Sequence, residues 1–403
     1  MIEWSEEQLM VRDAIRTFID KEIKPNLDEL EHGDTPPYEV LRKLYRTFGM
    51  DAMARDRFEK SLSSGSGEGE GEKLTDGARD PNTVAFTLIP IIELCRYCPG
   101  MVTAMGVSVG LTAAAVMSKG TEAQKRRWGL DLLTLDKIGA WAITEPNSGS
   151  DAFGSMKSTA RRDGEEYVLN GSKTFITNGP YADTIVFICK LDEGNDPKDR
   201  KVLSFVLDSG MPGLEQSKPL RKMGLHSSPT GELFLSDVRV GRDRLIGETE
   251  DAPARSGAKD TFSMERTGVA AMALGIVSQC LDLSVQYAKD RVQFGRPIGE
   301  FQLIQLKLAK MEVARLNIQN LVFRQVELQA SGRPMSLAEA SAMKLYSAQA
   351  AMDVALEAVQ LFGGNGYMAE FQVEQLARDA KVLQIYAGTD EIQVSQIARS
   401  LLA

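Results

Sequence analysis

The chain has 403 residues, 43% of them hydrophobic and 26% charged, with a formal net charge of −9. That composition suits a globular protein of two or three domains, and the acidic balance excludes a broad nucleic-acid footprint, which needs a basic surface. Four cysteines are too few for a disulfide framework at this length and fit a reducing compartment. The two histidines, His32 and His226, lack metal-ligand spacing and leave little room for Ser-His-Asp or Cys-His catalysis, so no metal is expected.

The acidic N-terminus, Met1 to Glu7, lacks the basic start and apolar run of a signal peptide, and a cytoplasmic location is expected. Ser5 and Gln8 form a capping-box pattern, and Ala14, Ile15, Phe18, Ile19 and Ile23 recur at helical spacing until Pro25. A second short helix is predicted from Pro37 to Phe48, ended by Gly49. Alternating Gly and Glu after Ser61 cannot build a core, so a mobile surface loop is expected over about 60–80. Helical character resumes near Asn82 and continues to about Leu135. Within it, Tyr97 to Ser118 carries no charge and is long enough to cross a bilayer. Pro99-Gly100 and the many small residues favour a tightly packed buried helix instead, and no membrane partner is expected. Cys95-x-x-Cys98 has redox or zinc spacing but no second pair, and reads as two core or surface thiols.

The middle of the chain changes period. Residues 138–144, 166–169, 172–177, 184–190, 202–207 and 232–240 are short apolar or β-branched runs separated by Gly, Asn, Asp and Pro. They predict an antiparallel barrel or sandwich, with a hairpin at Asn170-Gly171. From about Asp260 long amphipathic helices follow over 261–290, 301–331, 336–362, 370–384 and 390–402, read as an antiparallel bundle. The fold class is therefore α+β: a helical N-terminal domain (1–135), a central antiparallel β-barrel domain (136–250) and a C-terminal four-helix bundle (251–403).

No GxGxxG opens a helix after a strand, so a dinucleotide would need another surface. Trp141 to Asp151 runs from a strand into a loop dense in hydroxyls, Gly and Pro, whose amides and hydroxyls suit a pyrophosphate or a flavin edge. Alone it equally reads as a polar turn. Lys173 to Gly179, Gly363 to Tyr367, Arg378 to Lys381 and Ile385 to Gln393 add further segments of this kind.

Taken together, the TEPNSGSD, FITNG, RVQFG, QLFGGNGY, RDAK and YAGTDEIQ segments resemble the landmarks of the acyl-CoA dehydrogenase family, in the right order over nearly the whole chain. The resemblance implies a helical–β–helical fold, usually a homotetramer built as a dimer of dimers, with FAD as cofactor, an acyl-CoA substrate and an electron-transfer flavoprotein as electron acceptor. It implies that Ile143, Thr144 and Ser150 contact the flavin and its pyrophosphate, that Phe175 packs on the flavin where many members have Trp, and that Thr177 bonds near N5. Arg291, Phe294, Gln360 and Gly364 are expected to hold the ADP half across a subunit boundary, and Gly388 and Thr389 to lie against the cofactor near the reacting carbons. Ser150, Arg266, Tyr386, Ala387 and Gly388 are expected around the substrate. Read by itself, Arg291 is equally a solvated helix-end cation, Gly364 a helix stop and Thr177 a strand filler.

The reaction implied removes an α-proton and a β-hydride, so the protein must supply a base and donors for enolate charge. Most family members carry the base as Glu after the Tyr of the YEGT segment; here Ala387 stands there. In isovaleryl- and long-chain-type members the Glu precedes an Arg at the start of the first C-terminal bundle helix, and Phe262-Ser263-Met264-Glu265-Arg266 matches that pattern. Glu265 is thus the expected base, with the Ala387 N–H and a ribityl hydroxyl as oxyanion donors. Glu391, Asp390 and Glu145 are its rivals. His226 and Gly241-Arg242 also depart from the family pattern. The alternatives are a flavin oxidase or monooxygenase on the same fold, or a non-catalytic acyl-CoA-binding relative.

Overall fold

The computed structural model describes residues 3–63, 81–251, 254–333 and 335–403. Of the loop expected over about 60–80, residues 60–63 are instead the end of the helix Met50–Ser63, and 64–80 lie outside the described residues. Helices α1 (Glu6–Phe18), α2 (Leu27–His32), α3 (Tyr38–Thr47), α4 (Met50–Ser63), α5 (Pro81–Leu94), α6 (Pro99–Met105), α7 (Ala114–Lys119), α8 (Glu122–Gln124) and α9 (Leu130–Leu133) make the N-terminal part. The Ser5 capping box forms in both directions: Gln8 N donates to Ser5 Oγ at 3.3 Å, and Ser5 N to Gln8 Oε1 at 3.0 Å. The predicted stripe of Ile15, Phe18, Ile19 and Ile23 is buried.

The uncharged stretch beginning near Tyr97 is a continuous helical run in which Gly106–Ala113 is π-helical between α6 and α7. The expectation of a fully packed helix fails here. By length and composition Pro99–Lys119 is long and apolar enough to span a membrane, and less than half of its apolar window is buried. One face packs on strand β1 (Gly139–Ala142), where Ser108 Oγ accepts from Gly139 N at 2.8 Å, and the other stays partly open. The second such helix, Glu265–Asp290, is mostly buried in the bundle.

Strands β1, β2 (Thr159–Asp163), β3 (Glu166–Thr177), β4 (Thr184–Leu191), β5 (Val202–Asp208), β6 (Leu214–Gln216) and β7 (Thr230–Gly241) form one curled sheet in the order β1-β4-β2-β3-β7-β6, with β5 on β4. The sheet is mixed, since β1 and β2 both run parallel to β4. The hairpin expected at Asn170-Gly171 is absent: β3 runs through it with a register shift, and Gly171 takes φ 152° where a side-chain carbon would collide with Ser158. Here Gly serves a bulge and a close approach, the other use of a glycine in a strand. The two-residue turn lies instead at Gly164-Glu165, between the paired Asp163 and Glu166, with Gly164 at φ 61°. β2 escaped prediction because TARRD offers almost no apolar alternation. It is fastened outside by Arg162, which pairs with Glu193 and Glu250.

The C-terminal part contains α10 (Ala254–Asp290), the β8–β9 hairpin (Val292–Gln293, Arg296–Pro297), α11 (Gln302–Ala330), α12 (Leu337–Phe362), α13 (Val373–Val382) and α14 (Asp390–Leu402). A capping box at Ser336 starts α12, and Gly363 at φ 62° ends it. One apolar core runs from Ile15 and Leu88 of the N-terminal helices through Ile276, Val322 and Ala355 of the bundle, whereas the sheet closes over a second core around Leu169, Phe187, Phe205 and Leu233. The first and last thirds of the chain thus pack as one body, with the sheet set against it.

Candidate active site

The residues singled out in the sequence fall into three groups, each on a different support. The first lies where β1 meets β3. Thr174 N donates to Thr144 O at 3.0 Å, which seats Thr144 beside the end of β3. A register shift between Lys173 and Ile176 turns Phe175 outward at φ 57°, leaving it 69% exposed, with Thr177 half-buried two residues on. Ile143 is buried and Ser150 exposed on the loop that follows. Beneath that loop Lys173, wholly buried, donates from Nζ to Ile143 O at 3.0 Å and to Glu145 Oε1 at 2.9 Å. Glu145 also accepts from Lys157 N at 2.7 Å and Ser158 N at 2.9 Å, so one carboxylate ties both ends of the loop. Burial would raise the Glu145 carboxyl, but Lys173 and these N–H donors outweigh it and hold it below its ordinary value. Glu145 is committed to this pairing.

The second group sits on the bundle. Arg291, Phe294 and Gly364 line a groove of about 480 Å³ together with Tyr287, Phe301 and Phe362. Phe294 is 94% exposed, and Gln360, on the last turn of α12 just before groove-lining Leu361, is exposed too. The groove is shaped by stacking of Tyr287 on Phe362 at 4.0 Å and by Asn365 Nδ2 donating to Tyr287 Oη at 3.0 Å.

The third group brings together residues about 120 apart in the chain. Glu265 is half-buried on α10, and burial pushes its carboxyl up to about 7, with the adjacent Arg266 pulling the other way. Arg266 is buried; its Nη1 donates to Ser341 Oγ of α12 at 2.9 Å, and its Nε has no partner among the described residues. A methyl group built on Gly388 would lie 3.7 Å from Arg266 Nη2, so the Glu265–Arg266 turn inside α10 and the 386–389 loop meet. Tyr386 Oη lies 3.2 Å from Met272 Sδ, one face of α10 further along. The loop is left-handed twice over, with Ala387 at φ 52° and Gly388 at φ 86°. An alanine there costs roughly 1–2 kcal/mol and needs outside support. Gln393 supplies some, its Nε2 donating to Ala387 O at 3.0 Å and Gly388 O at 2.7 Å. Lys344 supplies the rest, its Nζ lying 2.9 Å from Gly388 O. The Ala387 N–H has no acceptor among the described residues. Thr389 caps α14, with Ile392 N 3.4 Å from its Oγ1. Glu391 is fully exposed and Asp390 is paired with Lys344 at 3.3 Å, so neither rival shares the setting of Glu265.

No hydrogen bond or ion pair among the described residues joins one group to another. Sequence reasoning missed Lys344, Ser341 and Gln393. The signal for the first was available: Lys344 is a lone cation on the stripe Ala340, Ala348, Ala351 and Ala355, which is otherwise small and apolar. Cys95 and Cys98 are buried reduced thiols, and Cys98 Sγ lies 3.0 Å from Ser227 Oγ.

The first two groups fit a cofactor with a planar ring at one end and phosphates at the other. An outward aromatic ring lies among threonines on the sheet, and an arginine and an exposed phenylalanine flank a groove on the bundle.

Comparison with known proteins gives the family. Family models match in chain order: the acyl-CoA dehydrogenase N-terminal domain over 5–54, the middle domain over 140–238 and the C-terminal domain over 256–402. The short-chain-specific acyl-CoA dehydrogenase of Megasphaera elsdenii is 35% identical over 386 residues, covering 96% of this chain and 95% of that protein. The solved butyryl-CoA dehydrogenase of the same organism superposes with a TM-score of 0.86 at 33% identity, covering 100% of both chains. A chain solved in work on the electron transferring flavoprotein of Acidaminococcus fermentans gives a TM-score of 0.82 at 32% identity, covering 100% of this chain and 99% of that one. The fold and these matches define an oxidoreductase. The chain belongs to the acyl-CoA dehydrogenase family.

Proposed function

We propose that the protein uses FAD to introduce a double bond between the α and β carbons of an acyl-CoA thioester, with Glu265 as the base. The observation that carries this reading is the pairing, at one place, of a half-buried carboxyl held near 7 with an Ala387 N–H that has no acceptor among the described residues. A base tuned to about neutral pH combines availability with strength, and a backbone donor aimed at developing charge suits an enolate oxygen. Glu265 takes the α-proton; the Ala387 N–H, with a ribityl hydroxyl, bonds the thioester oxygen as negative charge builds there. The unpartnered Nε of buried Arg266 is a further donor that a bound thioester would satisfy. Ser150, Tyr386 and Gly388 complete the substrate walls.

Bound FAD supplies the acceptor for the β-hydride. Ile143, Thr144, Ser150, Phe175, Thr177 and Thr389 would hold its ring and pyrophosphate. Arg291, Phe294, Gln360 and Gly364 would hold the ADP half from a neighbouring subunit of a homotetramer. Exposed Leu303, Leu306, Val313 and Leu316 along α11 support burial against another copy. Electrons would leave to an electron-transfer flavoprotein. The short-chain specificity named for the M. elsdenii relative makes short acyl chains the first substrates to test.

The test is the visible spectrum of the purified flavoprotein during anaerobic addition of butyryl-, isovaleryl- and palmitoyl-CoA. Bleaching by one class supports the reading and names the substrate range. A flavin band that no acyl-CoA bleaches, and that Glu265→Gln leaves unaltered, sinks it.

A further inference from the structure

Helix α12 carries two buried polar side chains one turn apart, and each reaches a different half of the proposed chemistry. Ser341 Oγ accepts from Arg266 Nη1 at 2.9 Å, fixing the residue next to the base on α10. Ser341 is itself anchored, donating to Leu337 O of its own helix at 2.6 Å. Three residues on, Lys344 donates from Nζ to Gly388 O at 2.9 Å and pairs with Asp390 Oδ1 at 3.3 Å, fixing the turn that presents the Ala387 N–H. Positions three apart lie on one helix face, and both side chains are 0% exposed.

A buried ammonium is costly unless fully used. A glutamine, as Gln393 shows, suffices to bond a carbonyl of this loop. Lysine adds reach and a second bond, to Asp390 at the first turn of α14. The carbonyls of Ala387 and Gly388 are thereby both held from behind, by Gln393 on α14 and Lys344 on α12. Those bonds fix the 387–388 and 388–389 peptides, and the Ala387 N–H, in the preceding peptide, is held through the left-handed φ of Ala387 that joins it to them.

We infer that Lys344 is a positioning residue for α-proton removal: through Gly388 it holds the Ala387 oxyanion donor at a set place relative to Glu265, with Ser341 fastening the Glu265–Arg266 side to the same helix. This rests on the acyl-CoA dehydrogenation proposed above. Lys344 touches neither substrate nor cofactor, and its effect passes through the loop.

The test uses the holoenzyme of Lys344→Met and Ser341→Ala beside the wild type. Two readouts are steady-state kcat and KM with the acyl-CoA that bleaches the wild type, and α-proton exchange into deuterated water followed by NMR. The exchange probe is a thioester with sulfur at the β position, which can lose its α-proton but no β-hydride. Lys344→Met is expected to keep its flavin and lower kcat on the order of 10-fold to 100-fold, less than loss of a direct oxyanion donor. KM should stay within about twofold, as for an interaction made in the transition state, and α-exchange should slow in parallel. Ser341→Ala should show the same split more weakly, and it carries the test if the lysine variant does not fold. Unchanged kcat and α-exchange in a folded, flavin-loaded variant overturn the inference while leaving the dehydrogenase reading intact. A wild type that neither bleaches nor exchanges overturns both.

Discussion

Lys173 Nζ lies 2.9 Å from Glu145 Oε1, with the lysine side chain 0% and the glutamate 6% exposed. The pair bridges β3 to the loop expected to grip the flavin phosphates. Burial lowers the Lys173 ammonium despite its partner, so the attraction does not fully offset desolvation. Truncating one member leaves the other charge buried and costs about 3–5 kcal/mol, whereas replacing both relieves much of that cost. Chemical denaturation should find Lys173→Met strongly destabilised and Lys173→Met/Glu145→Gln less so. A double variant worse than the single one would show that the pair holds the loop rather than balancing charge.

Glu265 must be ionised to accept a proton, and its pKa of about 7 sets where that happens. The value of kcat/KM is expected to rise with pH through about 7 and level off above it, with the inflection belonging to the free enzyme. In Glu265→Gln, flavin content should persist while bleaching by acyl-CoA is lost. A profile with its inflection in the ordinary carboxylate range would point to a solvated base elsewhere.

Gly388 stands at φ 86°, and an added methyl group would come within 2.7 Å of Gln393 Nε2. Gly388→Ala should therefore lose about 1–2 kcal/mol from the left-handed backbone alone and disturb the Gln393 bond as well. Thermal melting and kcat should both fall. A variant that melts like the wild type would mean the loop has room the geometry denies it.

At the junction of the three segments, Glu31 of α2 is buried with one oxygen unpartnered, beside Asp379, Lys222 and His226. Burial first, then Asp379, pushes its carboxyl up to about 8. A carboxyl whose folded pKa is raised favours folding while protonated, so stability falls as pH rises from the ordinary carboxylate range through about 8. Asp379, also raised by burial, acts with the same sign. Lys222, lowered to about 8, changes stability above that pH. Glu31→Gln should flatten the melting temperature between about pH 5 and 8. An unaltered slope would assign the pH dependence to Asp379.

The elements whose sequence repeats at 3.6 residues were legible with boundaries close to those observed for α1, α3, α11, α12 and α14, with the Ser5 cap and the Gly363 stop, whereas α10 begins at Ala254, seven residues before the expected 261. So was the alternation of helical, β and helical segments, since periodicity is local and each amphipathic face needs only a partner, not a particular one. The family landmarks located Glu265 and the 386–389 loop as separate segments.

Three-dimensional packing decided what local pattern leaves open. Asn170-Gly171 is a bulge and not a turn because Ser158, thirteen residues earlier, leaves no room for a side chain at Gly171. Two of the strands run parallel because pairing with β4 is non-local, and TARRD is a strand because its neighbours pair with it. Nor does the sequence around Lys344 announce that its ammonium meets Gly388, 44 residues away. Which carboxylate is held near neutral pH was settled the same way: Glu145 lies beside a buried lysine and Glu391 in water, while Glu265 is desolvated at the meeting of α10 with a distant loop. A residue's chemistry is written in the chain, but its dielectric surroundings and hydrogen-bond partners come from segments far off in sequence, and those fix its charge.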